Sequence, residues 1–178
     1  IKESSLDELL LVTVHRRENW GLPLQEIAKG LLLIVKEYKD LNIVVPMHPN
    51  KIVREILFKY LKNEKQIKLI EPLNYVELIR AIKNCRFILT DSGGLQEEAP
   101  SFGKPVLVLR ETTERLEGIN SGTAKLIGTN SKTIFNETSR LLKDKNLYKI
   151  MSKDLNPYGD GSASDKIILS ILKFLDSQ

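Results

Sequence analysis

The sequence holds one cysteine, Cys85, in 178 residues. A lone thiol cannot close an internal disulfide, so folding does not depend on oxidation. Cys85 stands just before the apolar run Phe87-Ile88-Leu89. No nucleophile constellation surrounds it, and it reads as a buried, inert thiol. Long hydrophobic runs are missing as well. No stretch reaches the roughly 20 apolar residues needed to span a bilayer, and no signal-peptide pattern opens the chain. These absences fit a cytoplasmic protein with no membrane partner. Blocks of like charge are also missing. Lys and Arg number 27 against 23 Asp and Glu, a net charge of +4 spread along the chain. That is an ordinary solvated surface with a weak lean toward an anionic ligand, and it gives nucleic acid no footprint. There are only two histidines, His15 and His48, and no Cys or carboxylate spacing joins them into a metal site. Without repeats or low-complexity linkers, residues 1–178 read as a single domain. The first residue is Ile1, not Met: either the start was processed or the chain is a piece of a longer protein, and the second is the expectation.

What is present is a regular alternation. The run Leu9 to Val14 is continuously apolar and β-branched at its end, as a strand buried on both faces should be. After the polar loop His15 to Gly21, Pro23 suits a first helical turn, and Leu24, Ile27, Leu31, Ile34 and Val35 repeat at helical spacing. The pattern recurs. Strands are expected at 43–45, 67–70, 87–90, 106–109 and 124–127. Helices are expected at 51–61, 75–83, 95–101, 134–142 (capped by Asn130 or Ser131) and 165–175, the last with Ile168, Ile171, Leu172 and Leu175 on one face. Strands alternating with helices of this length imply a doubly wound parallel α/β sheet. In such sheets ligands bind beyond the carboxyl ends of the strands, so the loops after the strands are where function belongs.

Three of those loops carry unusual residues. The segment Thr90-Asp91-Ser92-Gly93-Gly94-Leu95-Gln96-Glu97-Glu98 follows a strand and opens a helix. Exposed N–H groups at a helix start attract an anion, two glycines let it approach the backbone, and Ser92 adds a hydroxyl. A diphosphate suits that mouth. The plainer reading is that Ser92 or Asp91 only caps the helix. Glu98 lies one turn after Gly94, and its two oxygens match the two hydroxyls of a ribose. Glu97 projects about 100° away and reads as solvated. In the loop after the next strand, the forked guanidinium of Arg115 suits a pyrophosphate, or a salt bridge to a neighbouring glutamate. His15, directly after the first strand, can donate to a phosphate, act as acid or base, or serve as a cap.

Five segments together carry a resemblance over nearly the whole chain: His15-Arg16-Arg17-Glu18-Asn19, Asp91 to Pro100, Gly103-Lys104-Pro105-Val106, Thr112-Thr113-Glu114-Arg115 and Asn156-Pro157-Tyr158-Gly159-Asp160-Gly161. In this order they resemble the non-hydrolysing UDP-N-acetylglucosamine 2-epimerases. The resemblance implies the carboxyl-terminal, Rossmann-like half of a two-domain glycosyltransferase-B fold. It implies inversion at C2 of UDP-N-acetylglucosamine by elimination and re-addition of UDP, with no nicotinamide, metal or other cofactor. It makes Ser92, Gly93 and Gly94 diphosphate ligands, Glu98 the ribose ligand, Arg115 a substrate contact and His15 a catalytic residue near the sugar. It sets uracil beside Leu73, through backbone groups, and Leu78, although some relatives carry Gln and Phe there. Arg16 and His48 match positions that contact a second, activating nucleotide sugar. The implied partners are the protein's own amino-terminal domain, which carries the acid and base carboxylates, and a second copy in a homodimer. The competing readings are a hydrolysing epimerase, a retaining glycosyltransferase domain and a non-catalytic nucleotide-sugar sensor.

Overall fold

The computed structural model describes residues 8–153 and 156–177. The single unit expected over 1–178 thus includes residues 1–7, 154–155 and 178, which lie outside the described residues. The described residues form a six-stranded sheet in the order β3-β2-β1-β4-β5-β6, and every neighbouring pair is parallel. The strands are β1 (Leu9–Thr13), β2 (Asn42–Pro46), β3 (Ile67–Ile70), β4 (Phe87–Thr90), β5 (Val106–Val108) and β6 (Ala124–Leu126). The helices are α1 (Leu22–Glu37), α2 (Lys51–Leu61), α3 (Tyr75–Asn84), α4 (Gly93–Glu98), α5 (Leu116–Ser121), α6 (Ser131–Lys143), α7 (Lys145–Met151) and α8 (Ala163–Asp176).

The continuous apolar strands serve two cores, because successive side chains point to opposite faces. Leu10, Val12, Ile43, Val45, Phe87, Leu89 and Leu107 face the layer of α1, α2, α6 and α7. Leu9, Leu11, Val44, Ile88, Val106 and Val108 face α3 and α4 and bury Ala81, Ile82 and Leu95 there. Cys85 lies fully buried in this second layer. Burial drives its thiol up to about 12, so it stays protonated and inert as expected.

Side-chain caps set several helix starts. Asn50 accepts from the N–H of Ile52 in α2, and Asn74 and Glu77 form a capping box at α3. Asn130, rather than Ser131, caps α6. Three features differ from the sequence expectation. The helix expected at 95–101 starts at Gly93 and remains α-helical only to Glu98. Pro100 has no N–H to continue the ladder, so a 3-10 turn over Ala99–Phe102 takes over. It ends at Gly103, whose φ of +62° suits glycine. The short helices α5 and α7 appear where no helix was expected. In addition, residues Arg17–Asn19 of the first loop form a 3-10 turn.

β1 leads outward through β2 to β3, and the chain then returns to lay β4 on the other side of β1. The strand order reverses between β1 and β4, and a crevice opens beyond their carboxyl ends. Among the described residues, no helix is long and apolar enough to cross a membrane.

Candidate functional site

The backbone running off β1 and β4 is fixed first by a pair of hydroxyls. Thr13 Oγ1 and Thr90 Oγ1 lie 2.6 Å apart, and Thr90 Oγ1 accepts from the N–H of Ser92 at 2.9 Å. This sets the turn into α4. There Ser92 Oγ accepts from the N–H of Leu95 at 3.4 Å, so the capping reading of Ser92 holds in the structure.

Between them Asp91 gathers the whole first loop. Its side chain is wholly buried. Oδ2 accepts from the N–H of Arg16 at 2.9 Å and from Asn19 Nδ2 at 2.9 Å, while the N–H of His15 reaches both oxygens. Oδ1 lies 3.0 Å from His15 Nδ1. Burial pushes the Asp91 carboxyl up, but the hydrogen bonds from His15 and Arg16 outweigh it and hold the group below the ordinary aspartate value. Asn19, also buried, donates a second bond to the carbonyl of Leu109 at 3.1 Å, tying the loop to the end of β5. Sequence reasoning weighed Asp91 only as a cap and gave Asn19 no role of its own. The local signal was present, since Asp91 is the first residue past a buried strand, but its partners come from another strand's loop.

His15 thereby lies on the wall of the crevice. The ring of His48, after β2, stacks on it at a centroid distance of 6.1 Å and an interplanar angle of 24°. His48 Nδ1 accepts from the N–H of Asn50 at 3.2 Å. A cleft of about 220 Å³ is lined by Thr13, Val14, His15, His48, Leu73, Leu78, Ser92 and Leu95 among others. The fold thus brings His15, His48, Leu73, Leu78 and Ser92 around one hollow with a largely apolar wall.

A second group lies over Gly93. A Cβ there would stand 3.3 Å from an Arg16 guanidinium nitrogen, 3.3 Å from Glu114 Oε1 and 3.7 Å from Arg115. A side chain there would press on the ends of the Arg16 and Glu114 side chains. Gly94 is exposed and open. Arg16 pairs with Glu114 at 3.1 Å, and the buried Arg110 pairs with Glu18 at 2.7 Å and Glu114 at 2.8 Å. Arg115 pairs with Glu97 and lies 3.9 Å from Glu114. Glu97, its side chain still 42% exposed, pairs with Arg115, the kind of salt bridge that was one of the two readings of Arg115. Its own backbone N–H, then the Arg110 guanidinium, hold Glu114 at about 2. Three arginines are thus matched by three glutamates, a compact cationic reserve already neutralised from within.

Glu98 stands apart from both groups. Its Oε2 is buried and has no hydrogen-bond partner. Burial, with Glu97 adding repulsion, raises its carboxyl above the ordinary glutamate value. Buried acceptors without partners are rare and expensive. Among the described residues no cluster of His, Cys, Asp and Glu could hold a metal ion.

The strand order and the crevice at the carboxyl edge define a Rossmann-like α/β unit, one half of a glycosyltransferase-B architecture. Even a sucrose-phosphate synthase from Thermosynechococcus elongatus, only 12% identical, superposes with a TM-score of 0.67, a likeness of fold alone. The family model for UDP-N-acetylglucosamine 2-epimerase matches residues 1–172, and the chain belongs to that family. It is 48% identical over 166 residues to the UDP-N-acetylglucosamine 2-epimerase of Bacillus subtilis, covering 93% of this chain and 44% of that protein. It is 47% identical over 161 residues to that of Escherichia coli K12, covering 90% and 43%. Staphylococcus aureus MnaA, solved with UDP, superposes with a TM-score of 0.89 at 47% identity, over 98% of this chain and 49% of that one. The Neisseria meningitidis enzyme, solved with UDP-GlcNAc, gives 0.89 at 41% identity, over 93% and 45%. The chain thus spans less than half the length of these relatives.

Proposed function

We propose that this chain is the UDP-binding half of an enzyme that interconverts UDP-N-acetylglucosamine and UDP-N-acetylmannosamine in the cytoplasm. The observation that carries this reading is the orphaned, buried Oε2 of Glu98. A carboxylate left without donors asks for a ligand that supplies them, and the two hydroxyls of a ribose do so. The relatives solved with UDP or UDP-GlcNAc support the same class of ligand.

With the ribose on Glu98, the diphosphate lies at the Ser92-Gly93-Gly94 turn. There Arg115 and Arg16 exchange glutamate partners for phosphate oxygens. The base lies along the apolar wall of Leu73 and Leu78. In the reaction, C2 of the sugar loses its proton and the C1–O bond breaks, its electrons leaving with the phosphate. A 2-acetamidoglucal and UDP result. Protonation of C2 from the opposite face and return of the phosphate oxygen to C1 complete the inversion. His15 stands where it can bear on the leaving phosphate. The carboxylates that move the C2 proton belong to the amino-terminal half of the enzyme. The full-length protein works as a homodimer. A second nucleotide sugar resting on Arg16 and His48 would touch one residue that holds Glu114 and another that stacks on His15, and so could regulate the site.

The test is direct. The full-length protein, given UDP-N-acetylglucosamine and no acceptor, is expected to yield UDP-N-acetylmannosamine. This chain alone should bind UDP weakly without turning the sugar over, because positioned acid and base groups each supply about 10²–10⁴-fold. Glu98→Ala should weaken UDP binding about 10- to 100-fold, the range for losing hydrogen bonds to a charged group. Unchanged UDP affinity in Glu98→Ala would remove the basis of the assignment.

A further inference from the structure

We propose that Asp91 is the positioning residue of the site: it fixes the tautomer and the plane of the His15 ring and so decides which His15 nitrogen faces the crevice. This rests on the reading above only where it invokes the reaction; the geometry stands without it. An ionised carboxylate accepts and cannot donate. Asp91 is wholly buried, and its Oδ1 lies 3.0 Å from His15 Nδ1. The neutral ring must therefore carry its proton on Nδ1, which leaves Nε2 as a bare acceptor on the cleft side.

His48 is set the other way. Its Nδ1 accepts from the N–H of Asn50 at 3.2 Å, so its proton sits on Nε2. Two stacked imidazoles, 6.1 Å apart, thus carry their protons on opposite nitrogens. His15 offers the crevice an acceptor that a proton converts into a donor, while His48 offers a donor.

The two oxygens of Asp91 share the His15 N–H, at 3.1 and 3.0 Å, and otherwise have separate duties. Oδ2 holds the backbone of the loop, through Arg16 N–H and Asn19 Nδ2 as well as His15 N–H. Oδ1 holds the imidazole. This division makes Asp91→Asn an informative change. Its carbonyl oxygen must stay in the Oδ2 place, since three donors converge there. Its NH2 then takes the Oδ1 place and points at His15 Nδ1. Two donors cannot share that line, so the ring must move its proton to Nε2. The loop keeps its anchor and the histidine loses its orientation. A carboxylate-to-amide change behind a catalytic histidine has this consequence in general.

The chain has two histidines, so its imidazole ¹⁵N spectrum shows two rings, told apart with His48→Gln. At a pH where both rings are neutral, the unmodified chain should show His15 protonated on Nδ1 and His48 on Nε2. An Nε2-protonated His15 would overturn the proposal without any variant, whatever the stability of the substituted chain. In Asp91→Asn the His15 pattern should switch to Nε2. A pattern that does not switch would also overturn it. In the full-length enzyme Asp91→Asn should lower kcat by about 10²–10⁴-fold, the range for a mis-set acid–base group, with little change in KM. A switched tautomer with undiminished kcat would uphold Asp91's hold on the ring and refute instead the part given to His15 in the reaction.

Discussion

Glu98 is the residue whose electrostatics say most about its occupant. In the free protein burial, then repulsion from Glu97, keeps its carboxyl above the ordinary value of 4.5. A ribose that donates two hydroxyls favours the ionised form, so binding and ionisation are linked. Above the raised value the carboxylate is already formed and Glu98 adds no pH dependence to UDP affinity. As pH falls through it, binding must expel a proton, and affinity drops by up to about tenfold per pH unit. UDP titrations in the weakly acid range should show this fall while ordinary glutamates are still charged, and Glu98→Gln should abolish it. A pH-independent affinity down to the ordinary glutamate value would count against Glu98 as the ribose ligand. Ser92 and His15 could be offered as candidates from the sequence because each lies two residues past a strand, and strand ends are where ligands bind, while Glu98 was offered by its place one turn after Gly94. Asp91 was not legible as an organiser because its donors lie 72–76 residues away, in the loop after β1. Half of Arg110's pairing was hidden for the same reason, since Glu18 is 92 residues distant, although its other partner Glu114 is only four residues on.

At the scale of elements, the buried apolar runs fixed the strands so well because a strand covered on both faces has no polar position to blur its ends. Helices α5 and α7 escaped for physical reasons. α5 has six residues, a glycine inside it and no side-chain cap. Asp144 closes α6 and caps α7 at once, accepting from the N–H groups of Asn146 and Leu147, so nothing in the pattern separates the two. The contact that most constrains the sheet's outer layer is α1 against α6. Glu26 accepts from the hydroxyl of Ser131 at 2.6 Å, and Gly30 lets Ile134 approach. A Cβ on Gly30 would stand 2.9 Å from Ile134 Cγ2 and 3.2 Å from the carbonyl oxygen of Ser131. Alanine is the better helix former by about 1 kcal/mol, yet overpacking a tight interface costs about 1–3 kcal/mol. Crowding by both a branched side chain and a backbone oxygen leaves little room to relax, so Gly30→Ala should lower the melting temperature. Gly30→Ala should cost less in an Ile134→Ala background, which lacks the crowding Cγ2, than in the unmodified chain. A raised melting temperature in Gly30→Ala would mean that α1 and α6 can part without cost.

Over the whole molecule, one element does not belong to the cores of the described residues. α8 buries none of its residues. Ile167, Ile168, Leu169, Ile171, Leu172, Phe174 and Leu175 are all more than half exposed. Contiguous apolar surface of this extent marks an interface. The sequence showed the stripe Ile168-Ile171-Leu172-Leu175 but not what it would lean on, since a 3.6-residue period reports that a face is apolar and never which surface covers it. The chain corresponds to under half the length of its relatives, and the expectation is that the rest of such a protein covers the stripe. Two consequences differ in sign. In this chain by itself the stripe should drive self-association, seen as a weight-average mass that rises with concentration in sedimentation equilibrium. Ile168→Lys with Leu172→Lys should return it to a monomer without lowering its melting temperature, because neither side chain is part of either core. In the full-length protein the same pair should destabilise, by an amount on the order of 1.5–3 kcal/mol for each apolar side chain whose burial is lost. A chain that stays monomeric at all concentrations would show that α8 has no partner in this chain by itself, and a full-length protein indifferent to both lysines that it has none there.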